Sequence, residues 1–192
     1  MMRERRRLTA GWQLALLAAV FFLPLLVASW LYFQGRAFAP SGRTNHGALL
    51  EPIANLEDLL PDSRLTALSG NKWLLVYVHE DACGDACRDA LYRLRQSHLM
   101  LGPEMDRVRR VFLHGPNPPD RVFLDREHAG LATLEDPAAA ALLAEKRPAA
   151  LAPGGLYLVD PLGNLVMYFA PDVAPGDMVD DIEHLLELSR IG

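Results

Sequence analysis

Cysteine is scarce in this chain, because only two of its 192 residues, Cys83 and Cys87, are cysteines. A structural zinc site normally has four ligands, so two cysteines would need two histidines close by. The sequence has no closely spaced histidine pair. It therefore argues against a structural zinc site and leaves one pair of thiols as the place for chemistry.

Basic residues are also scarce once the amino terminus is set aside. Beyond Arg36 the chain has 14 Lys and Arg against 23 Asp and Glu, a net charge of −9, compared with −5 for the whole chain. An acidic surface disfavours nucleic acid or an anionic lipid surface as a partner, and favours a metal cation or a basic protein patch. Internal repeats are absent, and the longest biased tract is the alanine cluster at 138–141.

Charge is missing altogether from residues Trp12–Phe33, whose only clearly polar side chains are Gln13 and Ser29. At ~1.5 Å per residue, a helix of this length spans about 30 Å, the thickness of a bilayer's hydrocarbon core. The sequence therefore predicts one transmembrane anchor at 12–33. The alternative is a cleaved signal peptide, since Ala37-Phe38-Ala39 has the small-x-small form of a cleavage site, but the apolar stretch is longer than a signal peptide requires.

The residues before this stretch predict its orientation. It is preceded by four arginines, Arg3, Arg5, Arg6 and Arg7, and by a single acidic residue, Glu4. The positive-inside rule then predicts a cytoplasmic amino terminus at 1–11. We expect a single-pass protein of the inner membrane whose remaining chain is exported to the periplasm.

A linker and one domain follow the predicted anchor. Residues 34–56 are rich in Pro, Gly, Ser, Asn and Arg, which is typical of a linker. Residues 57–192 have the length of one domain. Apolar periodicity predicts seven elements there: strand Lys72–His79, helix Asp85–Leu101, strand Arg107–His114, helix Asp136–Lys146, strand Leu156–Asp160, strand Leu165–Phe169 and helix Asp177–Ile191. This order, βαβαββα, is the thioredoxin-like arrangement of an α/β fold.

The cysteines form a C-G-D-A-C motif between the first predicted strand and the following helix. Open α/β sheets bind ligands at this end of their strands. Spacing of four residues allows the two thiols to bridge, and the start of a helix favours the thiolate form. A purely structural disulfide is the alternative, yet closing so short a loop would stabilise the protein by only about 2 kcal/mol. Cys83 and Cys87 are therefore the candidate catalytic residues and the candidate metal ligands.

Two thiolates are soft ligands that suit Cu(I), which accepts low coordination numbers. His79 and His114 end the first and second predicted strands, and parallel strands end at the same edge of a sheet. Either histidine is a hypothetical third ligand. The motif is surrounded by four acidic residues, Glu80, Asp81, Asp85 and Asp89. Their charge either attracts cations or simply complements the dipole at the start of the helix.

Three segments resemble the Sco/SenC family: GNKWLLVYV at 70–78, the CxxxC motif at 83–87 and YLVDPLGNLVMYF at 157–169. Those proteins are membrane-anchored, thioredoxin-like copper chaperones, and the resemblance extends over about Leu59 to Ile191. It implies that this protein takes part in assembling the copper centre of cytochrome c oxidase. It would deliver Cu(I) to the copper-site subunit or reduce that subunit's cysteines, through Cys83 and Cys87.

The chain departs from this family at two positions. Arg88 stands where family members usually have a proline, and Ala152 stands where they have the histidine that is the third copper ligand. No histidine lies within residues 145–176. The resemblance is therefore to an atypical member that lacks the ligand histidine. Pro153 lies near the place of the cis proline of thioredoxin-like folds, with an ordinary loop proline as the alternative.

Two other functions remain open. A general thiol–disulfide oxidoreductase would use Cys83 to attack and Cys87 to resolve the mixed disulfide. A non-catalytic scaffold would keep the fold and hold a partner through its acidic surface. These alternatives leave open whether the protein is an enzyme.

Overall fold

The computed structural model describes residues 10–33, 45–117 and 119–189. The chain divides into two units, one up to Thr44 and one from Asn45 onward. In the first unit, helix α1 extends over Ala10–Phe33. Its stretch Gly11–Trp30 has a mean hydropathy of 2.1 and exposed side chains throughout, so it is long and apolar enough to cross a membrane once. The four arginines and residues 34–44 of the predicted linker lie outside the described residues.

The second unit is built on a six-stranded mixed sheet in the order β1-β6-β5-β2-β3-β4. The strands are β1 Ala48–Asn55, β2 Trp73–His79, β3 Val108–His114, β4 Ala132–Leu134, β5 Leu156–Val159 and β6 Asn164–Phe169. The helices are α2 Leu56–Leu59, α3 Arg64–Ser69, α4 Asp85–Met100, α5 Arg121–Glu127, α6 Pro137–Lys146 and α7 Pro175–Leu188, with a 3₁₀ helix at Gly102–Arg107. Strands β2, β3 and β4 are parallel, whereas β5 pairs antiparallel with both β2 and β6.

Strand β2 is central because its apolar residues are buried on both faces of the sheet. Trp73, Leu75 and Tyr77 lie on the face covered by α4 and α7. Leu74 and Val76 lie on the opposite face, where α3 and α6 pack. A strand buried on both sides shows a nearly continuous apolar run instead of alternation. This is the run that the sequence predicted as the first core strand.

The predicted α/β thioredoxin-like fold is confirmed, with β2, α4, β3, α6, β5, β6 and α7 in the predicted order. A turn at 161–164 joins β5 to β6, and the Asp160 carboxylate accepts the backbone N–H groups of Leu162 and Asn164, at 2.9 and 2.8 Å. Six elements were not predicted: β1, α2, α3, the 3₁₀ helix, α5 and β4.

The predicted linker at 34–56 is wrong at its carboxyl end, because Ala48–Asn55 forms the edge strand β1. It pairs antiparallel with β6, with Leu49 opposite Met167 and, after a register shift, Ala54 opposite Leu165. The strand contains Pro52, which has no N–H to donate and is tolerated at a sheet edge. The thioredoxin-like unit thus begins earlier than residue 57.

Candidate functional site at the carboxyl end of the central strand

Cys83 and Cys87 form a disulfide whose Cα atoms are 5.1 Å apart. The structure therefore joins the two residues that the sequence singled out. Cys87 is only 1% exposed and belongs to the core cluster beneath α4, whereas Cys83 is half-buried and packs against the edge of that cluster. One sulfur can be reached from solvent and the other is shielded.

The loop after β2 and the first turn of α4 position the pair. Gly84 is the residue preceding α4, and its N–H donates to the Ala82 carbonyl at 2.9 Å, which turns the chain back toward the helix. Cys87 lies in the first turn, where backbone N–H groups without helical partners favour a negative charge. The site thus lies where a thiolate is stabilised by the helix itself.

Arg88 makes two contacts at the start of α4. Its backbone N–H donates to the Gly84 carbonyl at 3.0 Å, a bond that proline could not make. Its guanidinium lies over the Phe123 ring, 4.8 Å from the centroid. Phe123 could not be predicted from the sequence, because an isolated aromatic residue gives no periodic signal. These contacts fix the start of α4 next to Cys87.

His79 and His114 lie side by side at the ends of β2 and β3, in register, as the sequence predicted for parallel strands. Each histidine shares a face of the sheet with the residue two positions earlier. The four rings form a row, with centroid distances of 6.0 Å from His79 to Tyr77, 5.6 Å from Tyr77 to Phe112 and 5.7 Å from Phe112 to His114. This is the face that also buries Cys87. His79 Nε2 lies 3.3 Å from the carbonyl of Ala82, next to Cys83.

Among the residues that the structure describes, one group of three ligand atoms lies within 4.8 Å of one another, namely His46, Asp177 and Asp180. It contains neither cysteine. Ala152 lies in the loop before β5, and its carbonyl accepts the Tyr168 hydroxyl at 2.6 Å. No imidazole comes from this loop to the cysteines.

Pro153 follows a trans bond, since the cis peptide found in the described part of the chain is Glu51–Pro52. The ordinary loop proline was therefore the correct alternative.

The four acidic residues around the motif are all exposed, and none forms an ion pair within the described ranges 45–117 and 119–189. Asp85 is the first residue of α4, where a carboxylate complements the helix dipole. The surface around the disulfide thus carries four exposed carboxylates that are not held in ion pairs.

A mixed sheet with a CxxxC disulfide at the start of the helix after its central strand defines a thioredoxin-like protein. Residues 73–189 match the family model described as transmembrane-like, thioredoxin-like, C-terminal domain, and the chain belongs to this family. A comparison with curated protein sequences found no match.

Solved structures of Sco proteins share the fold. Apo Sco1 from Thermus thermophilus is 20% identical with a TM-score of 0.54, covering 76% of this chain and 99% of that chain. Yeast Sco1 is 20% identical with a TM-score of 0.52, and the match covers 64% of this chain and 84% of yeast Sco1. Copper-bound ScoI from Arabidopsis thaliana is 18% identical with a TM-score of 0.51, and the match covers 64% of this chain and 88% of that ScoI chain. At these identities the comparisons establish the thioredoxin-like fold that the resemblance implied.

Proposed function

We propose that this protein is a membrane-anchored assembly factor for the copper-site subunit of cytochrome c oxidase, acting through Cys83 and Cys87. The observation that carries the proposal is the disulfide itself: two cysteines joined at the start of a helix, one half-buried and one buried. The fold shared with Sco proteins supports a copper-handling or thiol-handling role.

The thiol-handling step begins with the reduced pair. The Cys83 thiolate attacks one sulfur of a client disulfide, forms a mixed disulfide and releases the other client sulfur as a thiolate. The Cys87 thiolate then attacks Cys83, which releases the second client thiolate and forms the Cys83–Cys87 disulfide. Two electrons pass to the client, whose cysteines become free to bind copper. The half-buried sulfur attacks because the buried one cannot be reached before the bond to Cys83 exists.

The copper-handling step uses the same reduced pair, with Cu(I) as cargo. Two thiolates four residues apart, Cys83 just before α4 and Cys87 in its first turn, are suitable ligands for Cu(I). His79 is the better candidate for a third ligand, since its Nε2 lies 3.3 Å from the carbonyl of Ala82, the residue before Cys83. The exposed carboxylates around the motif favour a cation electrostatically.

Replacing His79 with alanine tests the third ligand. We expect the reduced full-length protein to bind Cu(I) in competition with a chelator, and His79→Ala to weaken binding roughly tenfold or more, because even residues that only support metal ligands change affinity by about 10–100-fold. His184→Ala, in the exposed part of α7, is the matched control and should bind as the wild type does. Equal affinities in all three proteins would remove His79 from the site and leave His114 as the candidate.

The same titration separates the proposal from a general thiol–disulfide oxidoreductase, the alternative favoured by the alanine at 152. Redox activity without Cu(I) binding would support that alternative. Neither activity would support a scaffold that has lost the chemistry.

We propose that helix α1 holds the domain on the periplasmic side of the inner membrane, with the arginine-rich terminus in the cytoplasm. Because Cys83 and Cys87 are the chain's only thiols, a membrane-impermeant maleimide should label the reduced protein in intact spheroplasts. The Cys83→Ser/Cys87→Ser double variant should remain unlabelled. Labelling that requires disruption of the membrane would contradict this orientation.

A further inference from the structure

A groove of about 890 Å³ opens next to the cysteine loop. Its walls come from the first half of α4, the carboxyl end of α6 and the loop residues Pro153, Gly154 and Gly155. Asp81 and Ala86, on either side of Cys83, line it as well. The volume lies within the range of about 300–1,000 Å³ that ligand sites occupy. A polypeptide joined to Cys83 would therefore have this groove directly beside it.

Two buried tyrosines reach the groove from opposite faces of the sheet. Tyr77 is 2% exposed on the α4 face, and Tyr157 is 4% exposed on the α6 face. Both line the groove, and neither hydroxyl makes a hydrogen bond within the described ranges 45–117 and 119–189. The nearby Tyr168 differs, because its hydroxyl accepts the Gly155 N–H at 3.0 Å and donates to Ala152. Neither hydroxyl is shut off from solvent, so both are open to the groove and free to donate to a ligand there.

The tyrosines are available as hydrogen-bond donors. Burial raises the pKa of Tyr77 to about 12 despite the opposing charge of Arg93. Burial likewise raises the pKa of Tyr157, against the effect of Arg147. Both hydroxyls therefore keep their protons near neutral pH and can donate to a negatively charged group.

Two arginines complete this end of the groove. Arg93 donates to the Pro171 carbonyl, and Arg147 to the carbonyls of Leu151 and Pro148. Neither has a carboxylate within 4.0 Å in the part of the chain that the structure describes. A guanidinium has five N–H donors, so each arginine has donors left for a ligand. Arginine is also the side chain best suited to paired hydrogen bonds with a carboxylate.

The exposed Glu80, Asp81 and Asp89 also line the groove, and Asp89 lies one turn before Arg93 on α4. These carboxylates repel a ligand with several negative charges. The groove therefore suits a single carboxylate on an otherwise neutral or basic segment.

We infer that the groove binds an acidic side chain of the client polypeptide, with its carboxylate held by Arg93, Arg147 and the hydroxyls of Tyr77 and Tyr157. The identity of the partner rests on the proposed function; the carboxylate site does not. This contact places the client's backbone along the groove and its cysteine next to Cys83. It gives the site a means of selecting clients that the disulfide alone does not provide.

The test uses the oxidised full-length protein in detergent micelles, with binding measured by isothermal titration calorimetry. The probes are Ac-Ala-Val-Glu-Val-Ala-NH₂ and its matched form with glutamine in place of glutamate. We expect the glutamate peptide to bind roughly tenfold more tightly, since hydrogen bonds to charged groups are the strong ones. Arg93→Gln and Arg147→Gln should each remove this preference, while Arg121→Gln, on the exposed start of α5, should retain it.

A second variant distinguishes the loss of a ligand contact from a failure to fold. Tyr157→Phe keeps the buried ring and removes only the hydroxyl, so it should fold as the wild type does and bind the glutamate peptide several-fold more weakly. Equal affinity for the two peptides, or a preference that survives Arg93→Gln in folded protein, would overturn the site. Tighter binding of free succinate than of the peptide would overturn the polypeptide as its ligand.

The Cys83→Ser/Cys87→Ser double variant separates this inference from the proposed function. It cannot exchange disulfides, and it should still prefer the glutamate peptide. Loss of the preference in this variant would contradict a carboxylate site that is independent of the thiols.

Discussion

The Cys83→Ser variant should lose thiol–disulfide exchange down to the uncatalysed background, whereas Cys87→Ser should remain covalently joined to its client. Without Cys83 the remaining thiol is 1% exposed and cannot reach a client sulfur. Without Cys87 the attack by Cys83 proceeds, but no second thiolate is present to displace the client. The mixed disulfide therefore accumulates instead of turning over.

The measurement uses reduced full-length protein and a client domain whose two copper-site cysteines are oxidised. Non-reducing gels and mass spectrometry report the mixed disulfide, and thiol titration reports the released client cysteines. Ala82→Ser, a small polar change in the same loop that leaves both thiols in place, is the matched control and should exchange normally. A covalent complex formed by Cys83→Ser through Cys87 would reverse the assigned order. Unchanged exchange in both cysteine variants would contradict the proposed function.

The cysteine site could be located from sequence because several signals agree there. The apolar run of β2 marks a strand buried on both faces, and the two scarce cysteines follow it directly. The adjacency of His79 and His114 follows from two parallel strands ending at one edge, and the register confirms it. Their role as ligands stays a prediction, since it depends on side-chain positions in the reduced protein.

Strand β1 could not be predicted, because its signal is weak at each residue. It includes Glu51 and Pro52, and the register shift between Leu49 and Ala54 interrupts its pairing with β6. Its alternation of apolar and polar residues is broken where the bulge lies. The strand is held by the long-range contact with β6, which the local sequence does not reveal.

The groove beside the disulfide was also beyond sequence analysis. Tyr77 and Tyr157 belong to strands separated by 80 residues along the chain and point to opposite faces of the sheet. Arg93 lies on α4, and Arg147 is the residue that follows α6. Only the antiparallel pairing of β2 with β5 brings these four side chains to one end of the sheet.

Asp136 is a further residue whose importance appears only in the fold. It was predicted as the first residue of a helix, and it is the residue preceding α6, where one of its oxygens accepts the Ala139 N–H at 3.1 Å. The other oxygen accepts the Ser63 hydroxyl at 2.6 Å and the Arg64 N–H at 3.1 Å, at the start of α3. One buried carboxylate therefore caps two helices.

Replacing Asp136 with alanine should lower the free energy of unfolding by about 2–3 kcal/mol, because an N-cap contributes about 1 kcal/mol and the Ser63 hydroxyl also loses its partner. Asp120→Ala is the matched control, since Asp120 caps only α5 and is exposed. The decrease in the free energy of unfolding should be smaller for this variant. Urea unfolding followed by fluorescence of Trp73, which is buried in the core, measures both variants. Equal losses would contradict the double-capping role of Asp136.

Protonation of Asp136 should weaken the same contacts at low pH. Burial alone would raise the pKa of this carboxyl, but the hydrogen bonds from Ser63, Ala139, Leu65 and Arg64 outweigh it and lower the pKa. A pKa that is lower in the folded state contributes stability fully above the unfolded value of about 3.9, and this contribution is lost as the pH falls through the folded value. The stability advantage of wild type over Asp136→Asn should therefore shrink as the pH falls below about 4. An advantage that stays constant down to the lowest pH at which both proteins fold would mean that the charge of Asp136 does not stabilise the two helix starts.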